Sequence, residues 1–165
     1  MNRLVGVLLA FVSTLSIFYI LFVPLPSLSI EFSTGSMGGE RVVALGEMWE
    51  TRYIHSLELT EVEDVYVFVD GKIWLWEERV KSHNAGLPTE PSRTGFFSID
   101  EKWMRFFGGR FFSDRLVLRI GDNAIGRNQL RFPPGRWFDV FSYVPKSRCV
   151  VELKARSAML YLMGI

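Results

Sequence analysis

Between Arg52 and Tyr66 the chain reads RYIHSLELTEVEDVY, which sets one histidine, one serine, one threonine and four carboxylates within 15 residues. His55, Ser56, Glu58, Thr60, Glu63 and Asp64 are side chains that can move protons, attack a carbonyl or hold a cation. The surrounding pattern predicts a strand over 49–60. Its alternation would put Tyr53, His55, Leu57 and Leu59 on one face and Ile54, Ser56, Glu58 and Thr60 on the other. Adjacent strand residues point apart, so Ser56 and His55 make a poor nucleophile–base pair. His55 is therefore expected as a core histidine among leucines, with a lone acid–base role as the alternative.

The next segment carries more carboxylates. Val65–Val69 and Lys72–Trp76 flank Asp70-Gly71, a two-residue turn that favours φ > 0 and a twisted hairpin. Continued without interruption, that hairpin places Asp64 opposite Glu77 and Glu63 opposite Glu78. Like charges directly opposite cost up to about 1 kcal/mol each. Either the strands splay and water solvates the acids, or a cation or basic group is held there with Glu58 contributing. On simple repulsion, neutralising Glu63 and Glu77 should raise stability. A single-residue slip dissolves the pattern.

Metal chemistry of other kinds is disfavoured. His55 and His83 are the two histidines and Cys149 the single cysteine, so a closed tetrahedral zinc site would need carboxylates as well. No EF-hand loop, phosphate-cradling glycine loop or nucleophile elbow is present, and neither a cofactor nor a metal is expected. Cys149 sits in the apolar run Cys149-Val150-Val151 and reads as a small core filler.

Tyr53-Ile-His-Ser-Leu-Glu-Leu-Thr60, then Glu63, Leu75-Trp-Glu77, Ser82 and Ala85-Gly-Leu-Pro88 together resemble the DUF1850 family of small uncharacterised proteins. The likeness is specific over residues 46 to 88 and diffuse from Leu116 to Ala155. Glu61 departs from the family's usual proline, and Asn84 stands where the first glycine of its loop is usual. The resemblance carries over His55, Ser56, Glu58, Thr60, Glu63, Glu77, Ser82, Gly86 and Pro88 as signature residues of unknown role. It also implies an accessory place beside tripartite (TRAP) transporters of the TAXI type, whose subunits would be the partners. Physically, Gly86-Leu87-Pro88 reads as a turn with φ > 0 at Gly86 and Leu87 turned into the core.

A second unusual stretch, WMRFFGGRFF, supplies Trp103, Arg105, Phe106, Phe107, Arg110, Phe111 and Phe112. A tight hairpin at Gly108-Gly109 would bring its two halves together. Alternation buries one ring of each aromatic pair, which leaves either an aromatic mini-core or a surface for a membrane or a membrane partner.

The elements that must position these residues are mostly short strands. Leu28, Ile30 and Phe32 alternate with polar residues, and residues 41–45 resume the extended pattern. Further segments lie at 96–99, 116–120, 128–132, 137–144 and 150–155. Breaks at Gly121-Asp122-Asn123, Pro133-Pro134-Gly135 and Pro145 separate them. Met159–Met163 is expected as a final strand, in the core or at a sheet edge. The fold class is all-β, an antiparallel sandwich or partly open barrel, preceded by one transmembrane helix.

That helix is read from Leu4 to Val23, 20 residues without a charge. At ~1.5 Å per residue it spans ~30 Å, the thickness of a bilayer's hydrocarbon core. Arg3 precedes it and no Lys or Arg follows until Arg41, so the N-terminus is expected in the cytoplasm and the rest outside the cell membrane. A cleaved signal peptide, with small residues at Ser27 and Ser29, is the alternative. The organisation expected is an anchor over 1–23, an exit segment over 24–40 and an extracytoplasmic β domain over 41–165, its first strand starting as early as 28.

The external part is neutral, with 18 basic and 18 acidic residues once Arg3 is set aside, which removes the electrostatic footprint of nucleic-acid binding. The neutrality is uneven. Glu31–Asp64 holds eight acids against two bases, and Lys102–Arg136 holds eight bases against two acids. These halves should lie near each other and partly cancel, or the basic one should face an anionic surface. The reading that follows is a non-enzymatic accessory or binding module of a membrane transport system. A small His/carboxylate hydrolase and a purely structural tether are the alternatives.

Overall fold

The computed structural model describes residues 2–33, 35, 37–82 and 86–163. His83, Asn84 and Ala85, which enter the metal argument and the family's loop, lie outside the described residues. The apolar segment forms helix α1 (Asn2–Phe22), whose side chains from Leu4 to Phe22 are exposed except for half-buried Leu21. None of its span is packed inside the fold.

Two antiparallel sheets follow, as the strand-and-turn rhythm implies, and they do not close into a barrel. The smaller contains β1 (Pro24–Phe32), β2 (Met37–Val42), β9 (Arg115–Arg119) and β12 (Arg148–Ser157), in the order β2-β1-β12-β9. The larger runs β11-β10-β3-β4-β5-β7-β6, built from β3 (Met48–Ile54), β4 (Glu61–Val69), β5 (Lys72–Val80), β6 (Phe97–Ile99), β7 (Met104–Phe107), β10 (Gly126–Arg131) and β11 (Phe138–Asp139). The two-residue β8 (Phe112–Ser113) also pairs with β5.

β1 starts directly after the apolar helix, at Pro24. Two prolines are tolerated there because β2 pairs with β1 only from Ser27 onward. The Pro26 carbonyl accepts the Val43 N–H at 3.0 Å, so its nitrogen faces that same side, where no ladder donor is needed. The main core lies between the sheets. Leu28, Phe32, Cys149 and Val151 from the small sheet meet Trp49, Tyr66, Phe68 and Ile73 from the large one. Burial pushes the Cys149 thiol up to about 12, as suits a core filler. A second, smaller cluster of Val62, Val80, Leu87 and Phe106 fills the far end of the large sheet.

Five expectations change. The strand expected over 49–60 stops at Ile54. His55 to Thr60 form a closed loop instead, with Thr60 accepting from the His55 N–H at 2.8 Å and His55 accepting from the Leu59 N–H at 2.9 Å. Leu59 takes φ +54 to close it, so Leu57 and Leu59 stand in solvent and His55 is not a core residue among leucines.

The segment 137–144 is extended only at β11, then turns into α2 (Val140–Tyr143). Val140 and Val144, four apart and both buried, sit on one turn, and that burial overrides their β preference. Met159–Met163 belongs to a short helix, α3 (Ala158–Met163), whose start is capped by the Ser157 hydroxyl accepting the Leu160 N–H at 3.3 Å. Gly108-Gly109 does not make a hairpin. β7 and β8 lie one after the other along the same edge of β5, and the glycines form the joint between them.

The fifth change concerns register. The hairpin at Asp70-Gly71 forms as expected, with φ +50 and +66 and Val69 opposite Lys72. That register holds to Tyr66 and Leu75, then a bulge at Trp76 shifts it by one residue. Beyond it Val65 faces Glu77, Asp64 faces Glu78 and Glu63 faces Arg79. The partner edge accommodates the bulge at Gly108-Gly109. The Gly108 N–H donates to the Trp76 carbonyl at 2.8 Å, and a Cβ on Gly109 would lie 2.4 Å from the Leu75 carbonyl oxygen. No side chain larger than hydrogen fits there.

Leu28 is fully buried although it follows the apolar helix by few residues, so Leu28→Ala should lower stability by about 2–5 kcal/mol. Leu57→Ala, in the solvent-facing loop, should change it by less than about 0.5 kcal/mol. Urea unfolding followed by tryptophan fluorescence separates the two.

Candidate functional site

Three groups of side chains emerge from the motif, on two faces of one sheet and at its end. At the end, the loop 55–60 is held by its own histidine. His55 Nδ1 accepts the Glu58 N–H at 3.2 Å, and the Ser82 hydroxyl donates to Glu58 Oε2 at 2.7 Å. The signature residues His55, Glu58 and Ser82 are thus brought together, while Ser56 is exposed beside them. Thr60 Oγ1 is buried with no hydrogen-bond partner among the described residues. Gly86 takes φ +89 and directs Leu87 into the small core, and Pro88 lines a cleft along β5 and β7.

On the outer face, Glu50, Glu63 and Glu77 are all buried, and arginines cover them. Arg79 is the hub. Its Nε and Nη2 grip Glu77 at 2.8 and 2.9 Å, and its Nη1 reaches Glu63 at 3.1 Å and Glu50 at 3.6 Å. Arg52 Nε holds Glu63 from the other side at 2.8 Å, Arg131 Nε holds Glu50 at 2.6 Å, and Arg105 bridges Glu77 to Asp100 at 3.1 and 2.8 Å. The Trp137 ring lies 4.2 Å from the Arg52 guanidinium and 4.4 Å from that of Arg131. Burial alone would lower the Arg79 pKa, but its bonds to Glu77, then Glu63 and the charge of Glu50, hold it above the ordinary value.

Of the two readings, solvated acids at splayed strands or acids held by a cation or basic group, the ladder realises the second with arginines, while the acid–acid register itself is corrected. The basic groups are supplied by the fold, one register position from where an unbroken hairpin puts them. Glu58, expected to contribute, is engaged by Ser82 instead. Among the described residues, no group of three His, Cys, Asp or Glu comes together as a metal set.

The inner face holds the opposite arrangement. Asp64 and Glu78 face each other across the β4–β5 register with no base between them among the described residues. Tyr66 Oη and Thr51 Oγ1 donate to Asp64 Oδ2 at 3.3 and 3.4 Å, while Oδ1 is buried without a partner among the described residues. Burial, then the charge of Glu78, pushes the Asp64 carboxyl up to about 7, against the two hydrogen bonds. Burial raises Glu78 as well.

The pair is flanked by two clefts. One of about 240 Å³ is lined by Asp64, Thr51 and Tyr53 on the large sheet and by Arg119 and Leu118 on the small one. The other, about 410 Å³, is lined by Glu78, Pro88, Glu90, Ser92, Phe106 and Arg110. Such a carboxyl, poised near neutrality, can exchange a proton or accept a hydrogen bond from a polar ligand.

The aromatic segment divides between core and surface. Trp103 and Phe106 are buried, and Phe111 packs at the edge of the main core. Phe107 stacks on Phe96 at 4.3 Å beside Trp76, and Phe112 is exposed. Arg105 belongs to the ladder and Arg110 to the larger cleft. The sequence reading missed Glu50, Arg52, Arg79, Arg131 and Trp137, which complete the ladder, and Glu78 as the partner of Asp64. Alternation of charge along β3 and β5 was the available signal for the ladder.

The model of a family described as a domain of unknown function (DUF1850) matches residues 50–133, just over half the chain, and the protein belongs to that family. No curated protein and no solved structure matches it.

Arg79→Met should cost about 3–5 kcal/mol, because it removes the guanidinium that buried Glu77, Glu63 and Glu50 share and leaves each with a single arginine. Glu63→Gln with Glu77→Gln should likewise destabilise. Both are checked by urea midpoint against the parent. Asp64 has the opposite sign. Its folded pKa lies above the unfolded value of 3.8, so between pH 4 and 7 the folded state keeps a proton that the unfolded chain has lost. Stability therefore falls as pH rises through that window. Asp64→Asn should raise the Tm at pH 8 by several degrees and leave it nearly unchanged at pH 5, which thermal unfolding at the two pH values tests.

Proposed function

We propose that this DUF1850 protein is a single-pass, membrane-anchored extracytoplasmic β domain. It serves as a non-enzymatic accessory or binding module for a TRAP-type solute transport system. The observation that carries the reading is α1, whose apolar span from Leu4 to Phe22 is nowhere buried among the described residues and whose last turn leads directly into β1. A soluble domain has no use for so large an unpaired apolar rod. The positive charge before it and the gap to Arg41 after it favour a cytoplasmic N-terminus.

The chemistry of the motif supports binding over catalysis. The His55 Nδ1 lone pair accepts a backbone N–H, the Glu58 carboxylate takes Ser82, and Glu77 is clasped by two arginines. These groups stabilise one another, whereas a general base must be free to take a proton from substrate. The inner-face clefts beside Asp64 and Glu78 are the surfaces offered to a ligand.

The full chain in native membranes should stay with the membrane through an alkaline carbonate wash. External protease should cleave its β domain. Cross-linking there should recover an integral membrane transport protein. Release by carbonate removes the anchor; retention without such a partner leaves a structural tether.

A further inference from the structure

The last described helix, α3, is an apolar element much of whose side-chain surface is exposed. Leu160 is 38%, Leu162 75% and Met163 60% exposed, although the residues just before them are tied into the sheet. Its place in the fold says what covers it. β1 and β12 pair to their ends, with Pro24 opposite Ser157, so the strand leaving α1 and the strand entering α3 run side by side. The Ala158 N–H donates to the Val23 carbonyl at 3.3 Å, and α3 packs beside α1. Six residues extend ~9 Å, so α3 can meet only the last turns of α1.

Those turns are where a spanning helix leaves the hydrocarbon for the headgroup region. We propose that α3 lies in the outer interface of the same bilayer, with Leu160, Leu162 and Met163 in contact with lipid acyl chains, as a second attachment of the β domain. The inference rests on the reading of α1 as a membrane anchor. Its physical content is orientational. One helix alone lets the domain swivel about the exit at Val23, whereas a second apolar contact reached through β12 fixes how the two sheets stand on the membrane. The hydrogen bond at Ala158 and the β1–β12 ladder make that contact rigid, and the Ser157 cap ends the strand where the apolar residues begin.

Charge supports the placement. From Ala158 to Met163 there is no ionisable group except a tyrosine, while the strand before it carries Lys154 and Arg156. Lys154 pairs with Glu31 at 2.9 Å and Arg156 with Glu40 at 3.0 Å, so the polar region ends where α3 starts.

The test uses the full chain reconstituted in vesicles of phosphatidylcholine and phosphatidylglycerol (3:1) that contain a lipid spin-labelled near the headgroup end of its acyl chain. Phe18→Cys, Leu162→Cys and Ala124→Cys each receive an environment-sensitive fluorophore. The native Cys149 is buried and should stay unlabelled. Ala124 is the distant reference, since it lies beyond Arg119, which pairs with Arg148 at the other end of β12. The label at 162 should emit to the blue and be quenched by the spin-labelled lipid, as the label at 18 is, with no quenching at 124. Quenching at 18 but not at 162 overturns the inference and leaves the anchor standing. A blue-shifted label at 162 that lipid does not quench places α3 against protein and also overturns it. Absence of quenching at 18 removes the anchor and the inference together.

Discussion

One extra residue in β5 decides what both faces of the large sheet contain. Upstream of the bulge at Trp76 the hairpin keeps the register set by Asp70-Gly71, and downstream it runs one residue out of step. Because strand side chains alternate, that step is large: it exchanges which residues of β5 meet which residues of β4, and on which face. With the step, Glu63 meets Arg79 on the outer face, and Asp64 meets Glu78 on the inner one. Without it, two acid–acid pairs would stand opposite each other and Arg79 would pair with Val62. The joint at Gly108-Gly109 is the matching half of the same feature, since the edge formed by β7 and β8 must break where β5 bulges.

The outer ladder shows what such a register is worth. Buried ion pairs are weak contributors to stability, because desolvation of each charge offsets most of the attraction. They are strong discriminators between registers, since a slip leaves glutamates buried beside glutamates. Arg79 contacts three acids from three strands, and Arg52 and Arg131 close over Trp137. The ladder therefore pins β10, β3, β4, β5 and β7 to one another along their polar face, while the main core pins the apolar face to β1, β9 and β12. The expected cancellation between the acidic and basic halves of the chain occurs in part through it. Arg131 meets Glu50, but other acids of the first half find Arg41, Lys81, Lys154 and Arg156 instead.

The parts of this fold legible in the sequence are those with local causes. A charge-free run of 20 residues, the Asp70-Gly71 turn and short alternating segments need only their own residues to be recognised. The family signature over 46–88 was legible for a similar reason, as its spacing survives without knowledge of contacts. What escaped has distant causes. The loop 55–60 carries β-branched and apolar residues that suit a strand, and it turns because β4 must return to pair with β3. Residues 140–144 form a helical turn because Val140 and Val144 both reach the core four residues apart. The bulge at Trp76 is matched by a break in the β7–β8 edge some thirty residues away, so a register drawn from one hairpin alone places Glu63, Asp64 and Glu77 correctly on their strand and wrongly against their partners.

The division of charge between the two faces also bears on where a partner can bind. Every carboxylate of the outer ladder is already held by a guanidinium, so a ligand there would have to break a buried pair before making its own contact, at a cost of several kcal/mol. Among the described residues the inner pair has no such guard. Asp64 Oδ1 has no partner among the described residues, and a cleft opens on either side of the Asp64–Glu78 step, with Arg119 across one and Arg110 across the other. A group that donated a hydrogen bond to Oδ1 would relieve an unsatisfied acceptor and gain its full desolvation penalty, about 1–3 kcal/mol, without disturbing the ladder. A contact between the sheets leaves the outer ladder, which holds that register, intact.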